Sequence, residues 1–185
     1  MKSKSLVVAN WKMNVMPGTA RALAQSADTY LSRTPISAEL VICPSFESID
    51  RTKEEITSKQ IRIGAQNCSS NTGGAHTGEV SAVSLEKIGC TYVLLGHSER
   101  RQLGETDTMI GEKLKAVLKE TKMTPLVCIG ESAQEKKSGK TSAVLTRQVT
   151  AVFSAAANYK EASRIIIAYE PLWAIGSGKP LTLEA

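Results

Sequence analysis

The chain of 185 residues is 42% apolar, 22% charged and 4% aromatic, a globular composition that excludes collagen-like, disordered and disulfide-scaffold classes. Its 23 basic and 18 acidic side chains leave a net charge of +5, which suits a small anionic ligand without establishing one. No Lys or Arg run is long enough to read as a nucleic-acid patch, and Cys43, Cys68, Cys90 and Cys128 form no Cys-x-x-Cys pair, so zinc-ribbon and thioredoxin-type readings fail.

From the amino terminus, the apolar residues 6–9 are too few for a signal-peptide core or a membrane span. The expected compartment is therefore a reducing cytoplasm, with no membrane partner. Five more short apolar runs follow, at 40–43, 61–65, 92–95, 126–129 and 165–169. None alternates cleanly with polar residues, and near-continuous Val/Ile/Leu runs are expected of parallel strands covered on both faces. Cys43 and Cys128 fall inside such runs, where a thiol behaves as a small hydrophobe.

Between the runs lie stripes at helical spacing. Leu23, Ala27 and Leu31 make a weak one. Ile110, Leu114, Val117 and Leu118 make a second behind a Thr106-Asp107 start signal, and Leu145, Val149, Val152 and Ala156 a third. Strand alternating with helix is the grammar of an α/β fold. A period of about 30 residues per βα unit fits a doubly wound sheet and a barrel equally. No Gly-x-Gly-x-x-Gly follows the first run, where Asn10-Trp11-Lys12 stands instead, and that favours a TIM (β/α)8-type barrel. A full barrel takes about 250 residues. Residues 1–185 thus read as a single, incomplete barrel domain of about six βα units with a C-terminal truncation, stopping at the start of a sixth long helix capped by Thr182.

Ligands of parallel α/β folds bind where the chain leaves the carboxyl ends of the strands. The residues just after the runs are Asn10, Trp11 and Lys12; Pro44 and Ser45; Gln66 and Asn67; Gly96, His97, Ser98 and Glu99; Gly130 and Glu131; and Glu170. A cation, an imidazole and a carboxylate on one face are the parts for acid–base chemistry on an anionic substrate. Glu170 ends an apolar run, so burial is expected to raise its pKa toward that of a general base, and Pro171 restricts its backbone. From position alone, a strand-end carboxylate paired with a cation is an equal reading. His97 stands where a strand turns into a short helix, whose amino terminus disfavours a protonated imidazole; a capping role is the plainer alternative. Lys12 lies within reach of the barrel mouth, with Glu99 placed to neutralise and orient it, against the ordinary reading of a solvated lysine. The segment Glu170-Pro171-Leu172-Trp173-Ala174-Ile175-Gly176-Ser177-Gly178-Lys179 reads as a lid. Its apolar tip is buried on closing, and its glycines turn backbone N–H groups onto a phosphate.

The segments Ala9-Asn10-Trp11-Lys12-Met13-Asn14, Leu95-Gly96-His97-Ser98-Glu99-Arg100-Arg101 and Ala168-Tyr169-Glu170-Pro171-Leu172-Trp173 with the glycines that follow resemble the triosephosphate isomerase family. Gly64-Ala65-Gln66-Asn67, Thr77-Gly78-Glu79 and Val127-Cys128-Ile129-Gly130-Glu131 fall in register with them. The resemblance implies that Glu170 moves a proton between the first two carbons of dihydroxyacetone phosphate, through an enediolate, to give D-glyceraldehyde 3-phosphate. It makes His97 a neutral electrophile at the carbonyl oxygens and Lys12 the cation that stabilises phosphate and enediolate. Asn10 orients Lys12, Glu99 pairs with it, and Gly176 and Ser177 bind phosphate in the closed lid. It implies no metal and no cofactor. It also implies a homodimer through the loop over residues 66–79, opened by Gln66 and closed by Glu79, in which His76 stands where Phe or Tyr is more usual. Pro180-Leu181 stands where Thr-Ala is more usual in the second hinge of the lid, and proline there fixes φ.

The competing readings are another phosphosugar barrel, a catalytically silent barrel fragment that binds anions or a partner chain, and, weakest, a basic nucleic-acid binder. If the chain does end at Ala185, little or no activity is expected, because the strand ends that complete the phosphate site are then missing.

Overall fold

The computed structural model describes residues 5–174. Six parallel strands, β1 (Ser5–Asn10), β2 (Ala38–Cys43), β3 (Ile61–Ala65), β4 (Tyr92–Leu95), β5 (Thr124–Ile129) and β6 (Ile166–Tyr169), form one sheet whose spatial order is chain order. With the intervening helices the sheet curls into a half-barrel, which resolves the sequence ambiguity in favour of the (β/α) barrel over the doubly wound sheet. The helices are α1 (Pro17–Arg33), α2 (Ile49–Glu54), α3 (Ala82–Lys87), α4 (Ser98–Gln102), α5 (Asp107–Glu120), α6 (Ala133–Lys137) and α7 (Thr141–Ala156).

The expected burial on both faces holds for the inner strands. In β4 and β5, Val93, Leu95 and Val127 face outward onto Ile110, Leu114 and Val117 of α5 and Val152 and Ala156 of α7. The alternate residues Leu94, Leu126 and Cys128 point inward and meet Val41 and Cys43 of β2. Each such side chain moved out of water contributes about 1.5–3 kcal/mol. The outer strands are covered less, as an incomplete barrel requires. β1 and β6 each pair with one neighbour only among the described residues, and Val7, Val8, Ile166 and Tyr169 are exposed.

Thr106 caps α5 as expected, accepting a hydrogen bond from the Met109 amide at 3.2 Å, and all four residues of its stripe are buried. The other two stripes need correction. In α1 the buried side is Ala20, Ala24, Asp28 and Leu31, and Leu23 faces solvent. In α7 it is Val144, Gln148, Val152 and Ala156, so Leu145 and Val149 flank the contact line. In both helices a polar side chain with partners in the neighbouring structure took the buried place. Asp28 accepts from the Thr57 and Ser58 amides at 3.0 and 2.7 Å, and Gln148 clasps Gly130.

Candidate active site

The loops leaving the carboxyl ends of β1, β4 and β6 bring Lys12, His97 and Glu170 into one connected group. Lys12 has φ +52°, the one non-glycine residue with positive φ among those described, a conformation that costs about 1–2 kcal/mol. Two partners hold it there. Its amide donates to the Asn10 Oδ1 at 3.0 Å, and its carbonyl accepts from the Gln66 Nε2 at 2.8 Å. The same Gln66 nitrogen reaches the Cys43 carbonyl at 3.0 Å, so one side chain ties the Lys12 turn to the end of β2. The ammonium then donates to Glu99 Oε1 at 2.8 Å, as the sequence suggested. Both side chains remain partly exposed, which puts the worth of this pair at no more than about 1 kcal/mol.

His97 caps the short helix α4 and is 9% exposed. The Glu99 backbone N–H donates to its Nδ1 at 3.3 Å. Glu99 Oε2 stands 3.5 Å from the same nitrogen, which leaves Nε2 on the opposite edge of the ring. That atom lies 3.3 Å from Glu170 Oε2. Capping and chemistry, which sequence position left as alternatives, are thus compatible: one face of the ring caps the helix and the other faces the carboxylate.

Glu170 leaves β6 next to Gly130. Its amide donates to the Ile129 carbonyl at 2.8 Å, and a Cβ added at Gly130 would stand 2.1 Å from its carbonyl oxygen. Only a residue without a side chain lets the two backbones lie this close. The Ser98 hydroxyl donates to Glu170 Oε2 at 3.2 Å. Oε1 is buried and has no hydrogen-bond partner among the described residues.

The root of the segment read as a lid is anchored as well. Trp173 Nε1 donates to Glu131 Oε1 at 2.9 Å, Tyr169 donates to the same carboxylate at 3.1 Å, and Lys136 lies 3.4 Å over the indole ring. Burial works against the charge on Glu131. The hydrogen bonds from Trp173 and Tyr169 and the field of Lys136 outweigh it and hold the carboxyl below the usual range. Gly176, Ser177 and Pro180 lie outside the described residues.

A cleft of about 210 Å³ opens beside this group, lined by Asn10, Lys12, His97 and Glu99 together with Gln66 and Asn67 on one side and Phe46, Arg100 and Leu103 on the other. The strand-end positions of Ser98, Gln66 and Glu131, and the place of Gln66 at the start of the expected dimer loop, were legible in the sequence; the contacts they make were not. Adjacency was the available signal for Ser98, which follows His97 directly. Gln66 and Glu131 stood out as strand-end residues, but their contacts did not, because Lys12 and Trp173 are 54 and 42 residues away from them.

A parallel βα sheet that gathers Lys12, His97, Glu99 and Glu170 at its carboxyl ends has the architecture of the α/β-barrel enzymes. The family model described as triosephosphate isomerase matches residues 5–185. Among curated relatives named triosephosphate isomerase, that of Idiomarina loihiensis is 40% identical over the whole chain, which covers 72% of its length. That of Acidithiobacillus ferrooxidans is 43% identical over 94% of this chain and 67% of its own. That of Aquifex aeolicus is 39% identical over 98% of this chain and 72% of its own. The chain belongs to the triosephosphate isomerase family.

Proposed function

We propose that the chain interconverts dihydroxyacetone phosphate and D-glyceraldehyde 3-phosphate, the isomerisation shared by glycolysis and gluconeogenesis, with Glu170 as the base. The observation that carries this is the unbroken contact path Lys12–Glu99–His97–Glu170, which spans three strand ends. The adjoining cleft presents the Lys12 ammonium and the His97 imidazole to a substrate, and Glu170 stands directly behind His97, 3.3 Å from its Nε2. Glu170 removes a proton from one carbon and returns it to the next. The Nε2–H of His97 donates to the oxygen on which charge develops, without the ring itself becoming charged. Lys12, aimed by Asn10 and paired with Glu99, stabilises the phosphate and the enediolate. Gly176 and Ser177 complete the phosphate site from the lid. These steps use side-chain and backbone groups of the chain alone.

The same reading makes the active form a homodimer, formed through the loop over residues 66–79. The stretch 71–79 stands exposed, and Met13, Phe46 and Leu103 expose apolar surface at or beside the mouth of the cleft. A cytoplasmic setting fits four cysteines that are all buried and unpaired, and no described helix is long and apolar enough to cross a membrane. The test is the conversion rate of glyceraldehyde 3-phosphate by the wild type and by Glu170→Asp. Withdrawing the carboxylate by one methylene is expected to cost about 10²-fold in kcat. Equal rates would remove Glu170 from the mechanism.

A further inference from the structure

Arg101 lies behind the active-site group, outside the substrate cleft, with its side chain 12% exposed. Its Nε donates to the Gly96 carbonyl at 2.9 Å and its Nη2 to the Cys128 carbonyl at 3.1 Å. Nη1 donates to Asp107 Oδ1 at 2.6 Å, and Arg147 holds the other oxygen of Asp107 at 3.1 Å. The two carbonyls belong together. The β4–β5 register runs from Tyr92 opposite Thr124 to Leu95 opposite Val127, so Gly96 and Cys128 are the next pair along. The strand pairing stops there, and the guanidinium spans the gap that a further rung would have closed. Its planar fork makes this possible, because it presents several donors in fixed directions.

The proposed catalytic pair meets those two strand ends: His97 leaves β4, and Glu170, which leaves β6, rests against the end of β5. Gly96 is followed directly by His97, in a turn with φ +66° at Gly96. Cys128 is two residues from Gly130, against whose backbone Glu170 lies, and the Glu170 amide donates to the intervening Ile129 carbonyl at 2.8 Å. The separation of His97 Nε2 from Glu170 Oε2, 3.3 Å, is therefore set by how far the ends of β4 and β5 splay.

We propose that Arg101 is a positioning residue for the reaction, a staple across the ends of β4 and β5 that fixes the imidazole relative to the carboxylate. Lysine keeps the charge but is a point donor and cannot span both carbonyls in this geometry. Methionine keeps most of the packing volume and donates nothing. The kinetic part of this inference rests on the isomerase reading; the positional part does not.

The experiment compares Arg101→Lys and Arg101→Met with the wild type in isomerisation kinetics, thermal melting and NMR of the protein labelled at histidine nitrogens. The chain has only two histidines, and His76, on the loop after β3, serves as the internal control. The expected result is a fall in kcat of about 10²-fold in Arg101→Met, and a smaller one in Arg101→Lys, with KM nearly unchanged. The His97 resonances move or split in the same order while those of His76 stay in place. Should Arg101→Met fail to fold, Arg101→Lys carries the same readouts. Unmoved His97 resonances in the folded variants, or a loss of kcat that only follows the fraction unfolded, overturn the proposal. A wild-type protein without turnover overturns the kinetic part of the proposal, and the His97 resonances then decide the staple alone.

Discussion

Glycine would occupy the backbone of residue 12 without steric cost, yet lysine stands there at φ +52°. An ordered replacement series follows from this. Lys12→Gly and Lys12→Ala both lose the ammonium and the proposed activity, but the alanine protein is expected to be the less stable by about 1 kcal/mol, the reverse of their usual order away from such turns. Denaturant midpoints of the two variants check it. The thiols make a second prediction at this scale. Burial pushes Cys43, Cys68 and Cys90 up to about 12, and burial with the nearby Glu170 pushes Cys128 higher still. A thiol acts as a nucleophile only as thiolate. At pH 8 a thiol reagent should therefore titrate none of the four cysteines in the folded protein and all of them in denaturant. The hydrophobic reading of Cys43 and Cys128 was available from the apolar runs around them. The positive φ of Lys12 was not, since it is imposed by Asn10 and by Gln66 from another strand.

Elements were legible where the apolar pattern alone decides burial, and misread by a residue where a polar group does. The stripe of α5 is the first case. α1 is the second: its buried line includes Asp28, which sequence alone assigns to solvent but which holds the turn before β3. Burial opposes the charge of Asp28, and hydrogen bonds from the Ser58 and Thr57 amides and the Thr57 hydroxyl prevail, so its carboxyl titrates below the usual range. A carboxyl with a lowered native pKa stabilises the fold at pH values above the unfolded value of about 3.9, and that contribution fades as the pH drops toward the native one. Asp28→Asn is accordingly expected to melt lower than the wild type at pH 7, with a deficit of about 1.5–3 kcal/mol. The gap between the two should narrow steadily below about pH 4. A deficit that does not change with pH would show that the charge itself contributes nothing.

The molecule as a whole was legible in class and order. Six runs gave six strands, and three of their carboxyl ends supply the contact path of the site. The assembly of protomers is the larger-scale prediction. If the exposed side chains at the cleft mouth meet a second copy, Leu103→Asp should sediment as a monomer at concentrations where the wild type is a dimer, with the melting curve of each protomer little changed. A wild type that sediments as a monomer would reject the homodimer. The strand order has a consequence for biosynthesis. Among the described residues each strand after the first pairs with the one made just before it. Nascent chains arrested at successive lengths should therefore gain protease resistance in steps of one βα unit, beginning once β2 and its following helix have cleared the exit tunnel.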